Sequence, residues 1–176
     1  MTHPDRAAVI PTARLELRPL RIEHAAEMAG VLSDPGLHTF TGGAPLDATA
    51  LHARYARLVA GSPDPEVTWC NWVLHARAER CLVGTVQATV GGPATGRTAE
   101  VAWVVGTPWQ GRGYATEATR ALVAWLTTRS VTQVIAHIHP GHRASAAVAR
   151  AAGLAPTGHR QDGEVRWRAV MPYSGP

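Results

Sequence analysis

Hydrophobic and polar positions alternate with two different periods along this chain, and the switches between periods mark its elements. Arg14-Leu-Glu-Leu-Arg alternates residue by residue, which predicts a first strand. Ile22, Ala25, Ala26, Ala29 and Leu32 then recur at helical spacing until Ser33-Asp-Pro-Gly stops the helix. After a loop rich in Gly, Thr and Pro, Asp47 is a candidate N-cap for a second helix with Leu51, Tyr55 and Leu58 on one face. Gly61-Ser-Pro-Asp-Pro breaks that helix. Two strand-like runs, Val67 to Leu74 and Cys81 to Val90, flank a polar turn and predict an antiparallel pair. Gly91-Gly-Pro-Ala-Thr-Gly leads from them to a third run, Thr98 to Val105.

A glycine turn follows, then a helix from Tyr114 to Arg129 whose apolar face is Ala115, Ala118, Leu122 and Trp125. Val131 to Ile138 is β-branched and apolar, so the unit is strand–helix–strand and its two strands are expected to run parallel. A shorter helix, His142 to Ala152, is closed by Gly153, and Glu164 to Val170 alternates as a last strand. Together these elements predict an α/β (α+β) fold. Its central sheet is mixed and mostly antiparallel, with helices on both faces and one parallel strand–helix–strand unit. Met1 to Thr12 has no period and reads as a frayed tail, so one domain is expected at 14–170 between short tails at 1–13 and 171–176.

At 176 residues a single domain needs no disulfide staple, and Cys70 and Cys81 read as buried thiols. The net charge of +4 comes from arginines spread along the whole chain, with no lysine anywhere and no basic block. A nucleic-acid surface would cluster its charge, so no nucleic-acid partner is expected. No apolar run approaches spanning length, and the first residues lack a charged-then-apolar signal pattern. No membrane partner is expected, and a cytoplasmic location follows by default.

The chemistry concentrates in Glu-Val-Ala-Trp-Val-Val-Gly-Thr-Pro-Trp-Gln-Gly-Arg-Gly-Tyr-Ala-Thr-Glu-Ala-Thr, residues 100–119. A strand that ends in a glycine turn and opens straight into a helix aims unpaired N–H groups and a positive dipole end at one point. Such a point holds an anion, and a pyrophosphate fits it. A P-loop needs a lysine, which this chain lacks. A dinucleotide turn wants a third glycine where Thr116 stands, and an acid about twenty positions on; none occurs between Glu117 and Asp162.

Gln110, Gly113 and Ala115, with Gly111, Arg112 and Tyr114 between them, instead match the Gln/Arg-x-x-Gly-x-Gly/Ala turn of the GNAT acyltransferases. The chain resembles that superfamily from about Arg14 to Val170, and within it the branch of ribosomal-protein N-terminal acetyltransferases. The resemblance implies acetyl-CoA as acetyl donor and an amine as acceptor, a protein N-terminus or a small molecule, in a monomer or homodimer. It implies that the backbone of Gln110 to Ala115 holds the pyrophosphate. It also implies that Val104 and Val105 offer strand-edge groups to the pantetheine arm. Ser145, Gly153 and Leu154 fall in register with the family's Asn-x-x-Ser and Gly-Phe positions, with His142 in place of the asparagine and Leu154 of the phenylalanine. Ser145 is thereby placed near the thioester sulfur and His142 near the pantetheine arm. Ala149 stands where many members carry a tyrosine that protonates the leaving thiolate. The loop Pro35 to Pro45 and the segment Arg160 to Gly163 correspond to acceptor-binding regions.

Acyl transfer from a thioester to an amine needs a proton acceptor for the incoming ammonium. Glu100 is the first candidate: members often carry a carboxylate there, and it is the only acid between Glu79 and Glu117. His137 and His139 share a strand face, with His142 just beyond, and either is an alternate base. Their spacing could also bind a metal. No acidic or cysteine ligand lies near them in sequence, and this chemistry needs none, so no metal is expected. Two other readings stay open at this point: a catalytically weak acyl-CoA sensor and a histidine-based metal hydrolase.

Overall fold

A computed structural model describes residues 7–171. Eight strands form one sheet: β1 (Ile10–Pro11), β2 (Leu15–Pro19), β3 (Thr68–Ala76), β4 (Cys81–Gly91), β5 (Arg97–Val105), β6 (Val131–Ile138), β7 (Ala155–Gln161) and β8 (Glu164–Val170). Their order is β1-β2-β3-β4-β5-β6-β8-β7, and every neighbouring pair is antiparallel except β5 and β6. The mixed sheet and its parallel crossover are therefore those the sequence pattern predicts. The helices are α1 (Ala25–Val31), α2 (Ala48–Ala60), α3 (Tyr114–Thr127) and α4 (Arg143–Ala151).

Strand alternation sorts side chains to the two faces. Leu15, Leu17, Trp72, Leu74, Val86 and Val101 point to one face and pack with Ala118, Leu122 and Leu126 of α3. Val73 by alternation, and Leu82 because the β3–β4 register shifts between Leu74 and His75, point to the other, against Met28 and Val31 of α1 and Leu51 and Tyr55 of α2. Asp47 caps α2 as its position suggests, its carboxylate accepting from Ala50 N at 2.8 Å. Trp72 is fully buried, whereas Trp69 and Trp103 keep part of their surface. Cys70 is buried and Cys81 half-buried, and no disulfide joins them.

Two elements differ from the pattern-based expectation. The segment from Ala7 is docked rather than frayed: β1 pairs with β2, and Trp72 Nε1 donates to Ala8 O at 2.8 Å. Met1 to Arg6 of the expected N-terminal tail and Pro172 to Pro176 of the C-terminal one lie outside the described residues. The second difference is β7, which pairs with β8 at the sheet edge although Ala155-Pro-Thr-Gly-His-Arg-Gln contains a proline and a glycine. An edge strand tolerates both, because half its backbone groups face solvent. Among the described residues no helix is long and apolar enough to cross a membrane.

The feature that positions the site is where the parallel pairing stops. β5 and β6 pair from Arg97↔Val131, with a register shift before Thr98↔Gln133, to Glu100↔Ile135 and no further. Beyond that point the strands part. Val101–Val105 stays bound to β4 while Ala136–Ile138 stays bound to β8. The gap lies at the carboxyl ends of two parallel strands, where ligand crevices form in such sheets.

Candidate active site

At the end of β5 a short 3-10 turn, Thr107–Trp109, leads into Gln110, whose Nε2 donates to Val105 O at 2.9 Å. That bond ties the turn to the strand and explains an amide side chain at this position. Gly111 and Gly113 follow with φ of 72° and 82°, the left-handed region where a side chain costs about 1–2 kcal/mol. Among the described residues, the N–H groups of Gly111 to Thr116 find no acceptor in the protein; the first bond of α3 is Glu117 N to Gly113 O. Six adjacent donors thus lie together at the positive end of a 14-residue helix.

The side chains of the turn are engaged away from that point. Arg112 pairs with Glu79 at 2.9 Å and donates to Pro108 O at 3.1 Å. The Tyr114 hydroxyl donates to Glu79 at 2.8 Å, and that bond is the first cause holding the Glu79 carboxyl below the ordinary carboxylate range. Arg14 reaches up from the start of β2. Its Nη1 donates to Arg112 O at 2.8 Å and its Nε to Glu117 Oε2 at 2.7 Å. Burial pushes the Glu117 carboxyl up, but bonds from the Thr12 hydroxyl and from the backbone and guanidinium of Arg14 outweigh it and leave the acid ionised. What the turn presents outward is backbone, held in shape from β2 and from the β3–β4 turn.

From this turn a cleft of about 580 Å³ runs between the parted strands, a volume typical of a small-molecule site. Val104 and Val105 line one side of it, His137 and His139 the other, with His142 and Ser145 of the α4 start closing the far end. The Val105 carbonyl is already occupied by Gln110.

Three strands contribute to a polar chain beside the cleft. His137 Nδ1 lies 2.8 Å from Glu100 Oε1, and Arg166 Nε donates to His137 Nε2 at 3.3 Å. The imidazole is largely buried, with 8% of its side chain exposed, against 52% for Glu100. Glu100 and the alternate base His137 are therefore one unit rather than two rivals. His139 is separate: its Nδ1 accepts from Gly141 N at 3.0 Å, and its ring faces Phe40 with centroids 5.2 Å apart.

His142 stands at the N-cap of α4. Its Nδ1 accepts from Ser145 N at 3.3 Å, the bond an asparagine oxygen would make there. The ring proton then sits on Nε2, 3.2 Å from Ser145 Oγ, so both ring nitrogens bond to one residue and the serine hydrogen is free to turn elsewhere. Burial, and then the neighbouring His139, hold His142 below its ordinary 6.5, against a backbone bond that raises it. Phe40, carried by the loop between α1 and α2, stacks on the same ring at 4.5 Å. The loop is anchored where Thr107 Oγ1 donates to Asp34 at 2.6 Å.

One cleft residue was not singled out by the sequence. Glu164, first residue of β8, is the only carboxylate in the cleft wall among the described residues; Glu100 borders the cleft through His137. Strand alternation puts Glu164 on the same face as Arg166, but only the β6–β8 register, Ile138↔Val165, brings it to the cleft. No group of three or more His, Cys, Asp or Glu among the described residues is arranged to hold a metal ion.

A backbone anion turn at the mouth of a cleft between two parted parallel strands suits a coenzyme A-dependent acyltransferase. A family model described as an acetyltransferase (GNAT) domain matches residues 14–155, and the chain belongs to that family. It is accordingly an acetyltransferase that uses acetyl-CoA, which the six free donors and the cleft volume accommodate. Solved structures share the fold. A GNAT-family acetyltransferase from Bacillus anthracis is 17% identical over 93% of this chain and 98% of its own, with a TM-score of 0.75. A ribosomal L7/L12 α-N-protein acetyltransferase in complex with coenzyme A is 15% identical over 93% and 98%, at 0.76. The ribosomal-protein-S5-alanine acetyltransferase of Vibrio fischeri is 14% identical over 93% and 96%, at 0.75. No curated protein matches the chain by sequence.

Proposed function

We propose that the protein passes the acetyl group directly to the α-amino group of a protein N-terminus, with Glu100 as the proton acceptor. The observation that carries this reading is the Glu100–His137 pair, 2.8 Å apart, at the point where β5 and β6 separate. The amine enters from the sheet face bearing Glu100, whose side chain is half exposed. Its ammonium gives a proton to the exposed oxygen of Glu100, directly or through water. The backbone of Gln110, Gly111, Arg112, Gly113, Tyr114 and Ala115 binds the pyrophosphate, and Val104 and Val105 flank the pantetheine arm. The bound acetyl-CoA supplies a thioester with a good leaving group, so a weak donor suffices on that side. Ser145, freed by the His142 ring bond, turns its hydroxyl toward the leaving sulfur.

A protein N-terminus is preferred because two of the similar structures bear the names of ribosomal-protein acetyltransferases. A second reading keeps the reaction but makes Glu164 the base, since that carboxylate lies in the cleft wall itself. Thiol release from acetyl-CoA against a panel of N-terminal peptides, polyamines, amino acids and amine antibiotics tests the acceptor. Peptide turnover at least tenfold above the other classes is expected, and turnover confined to a small amine would overturn the peptide assignment.

A further inference from the structure

We infer that His137 is not a base but a positioning residue, locked by Arg166 as its Nδ1–H tautomer so that it can aim Glu100. The inference rests on the reading of Glu100 as proton acceptor and deepens it.

The Arg166 guanidinium sets the tautomer. Arginine has donors only and stays charged at any working pH, so where its Nε meets a ring nitrogen at 3.3 Å, that nitrogen must offer a lone pair. His137 Nε2 is therefore unprotonated, and the ring proton of the neutral imidazole lies on Nδ1. Nδ1 is the atom 2.8 Å from Glu100 Oε1, so it donates to the carboxylate. Both ring nitrogens are then in use, and neither has a lone pair free for an incoming ammonium. A doubly protonated ring would set its Nε2–H against the Arg166 donor and lose that bond.

The backbone explains why three residues on three strands can meet. His137 and Arg166 are direct partners across β6 and β8, which sets the Arg–His contact. Glu100 pairs with Ile135, two residues before His137 on the same face, at the last position of the parallel register. His137 thus sits two residues past the end of the β5–β6 ladder and reaches back across the opening to Glu100. Oε1 is fixed, and Oε2 is left as the only carboxylate oxygen with room for a substrate proton. The other groups on this face are Glu164 and Arg168, flanking Arg166 by alternation on β8, the neutral Gln133 on β6, and the uncharged Ala102 on β5.

Long-range proton–nitrogen NMR of the histidine rings, with His137 assigned by the missing signals of His137→Gln, reads the tautomer directly. The neutral Nδ1–H form at pH 7 is expected in the wild type. In Arg166→Met the preference should be lost, kcat should fall about tenfold with CoA affinity unchanged, and the acidic limb of the kcat profile should move. Arg166→Lys retains a charged donor and should recover part of the rate, which loss of fold would not do. An Nε2–H tautomer or an imidazolium in the wild type overturns the inference, as does a wild-type pH profile in Arg166→Met. Full activity in Glu100→Gln with His137 still in the Nδ1–H form would instead remove the base reading, and with it the catalytic half of the inference.

Discussion

The phosphate turn and the wall opposite it are built on different terms. Residues 110–116 offer backbone donors alone, shaped by two left-handed glycines and braced from behind by Arg14, Glu79 and Glu117. The wall made by Glu100, His137, Arg166, His142 and Ser145 works through side chains, held by bonds of 2.8–3.3 Å to one another and, at His142, to the Ser145 backbone N–H. A backbone site depends on local conformation and tolerates many side chains. A side-chain site depends on register across strands and tolerates few. Binding should thus be fragile to changes at two glycines, and turnover to changes at several scattered polar residues.

The largest effect is expected at the turn. A Cβ added at Gly111 meets nothing within 4 Å, so at the left-handed backbone cost of about 1–2 kcal/mol Gly111→Asp puts a carboxylate beside the six donors. CoA affinity should fall by more than about a hundredfold, and the CoA-dependent rise in melting temperature should vanish. Gly113→Asp is a less direct probe, because a Cβ there lies 3.2 Å from Arg14 Nη2 and its carboxylate would have a partner. If Gly111→Asp still melts higher with CoA, the anion site is not this turn.

On the wall, Glu100→Gln should lower kcat by roughly a hundredfold while CoA binding stays intact. Glu164→Gln serves as its comparison, with a loss of less than about tenfold expected. The reverse order would transfer the base role to the cleft-wall carboxylate. Ser145→Ala should cost about tenfold in kcat with the melting temperature little changed, since the serine backbone N–H and not its hydroxyl joins the cap bond. A stability loss with normal kcat would leave Ser145 a structural residue.

The smallest effect is on stability against pH. Burial is the first cause holding His24, His75 and His142 below their ordinary 6.5. The unfolded chain takes protons there that the folded chain refuses, so stability is full above 6.5 and declines as pH falls from that value toward the folded ones. Glu79 and Glu117 are held below 4.5, so their contribution persists lower and is lost only as pH drops through their folded values. Melting curves should therefore fall in two stages on acidification, and His142→Asn should shrink the first. A melting temperature that rises between neutral pH and the first stage would contradict the burial of these rings.

The same contrast governs what could be read in advance. The turn, α3 and the parallel crossover were legible because each is encoded within about thirty consecutive residues: glycines at set offsets, a helical apolar stripe, then a β-branched run. Glu100 and His137 were each visible as candidates. Their pairing was not, because it spans 37 residues and depends on where the β5–β6 ladder ends. Glu164 escaped for a related reason. Its approach to the cleft follows from a hairpin whose first strand, β7, is exposed almost throughout and carries no alternation to announce it. β1 is two residues long and leaves no period at all. Arg14 looked like an ordinary first residue of a strand, and nothing local marks it as the brace of a turn 98 residues away.

That brace has a consequence for the order in which the molecule assembles. The bond from Thr12 to Glu117 joins residues 105 apart, while β2 to β5 pair mostly with their neighbours in sequence. Closing so long a loop is a late and slow event for a folding chain. The cofactor turn is therefore expected to take its final shape only after the meander from β2 to β5 has formed and the N-terminal segment has come back across α3. Acetyl-CoA, by occupying that turn, would act on the rate at which the finished protein opens and leave the early steps of folding untouched. Unfolding rates in denaturant, measured with and without CoA, should differ while the refolding rates coincide.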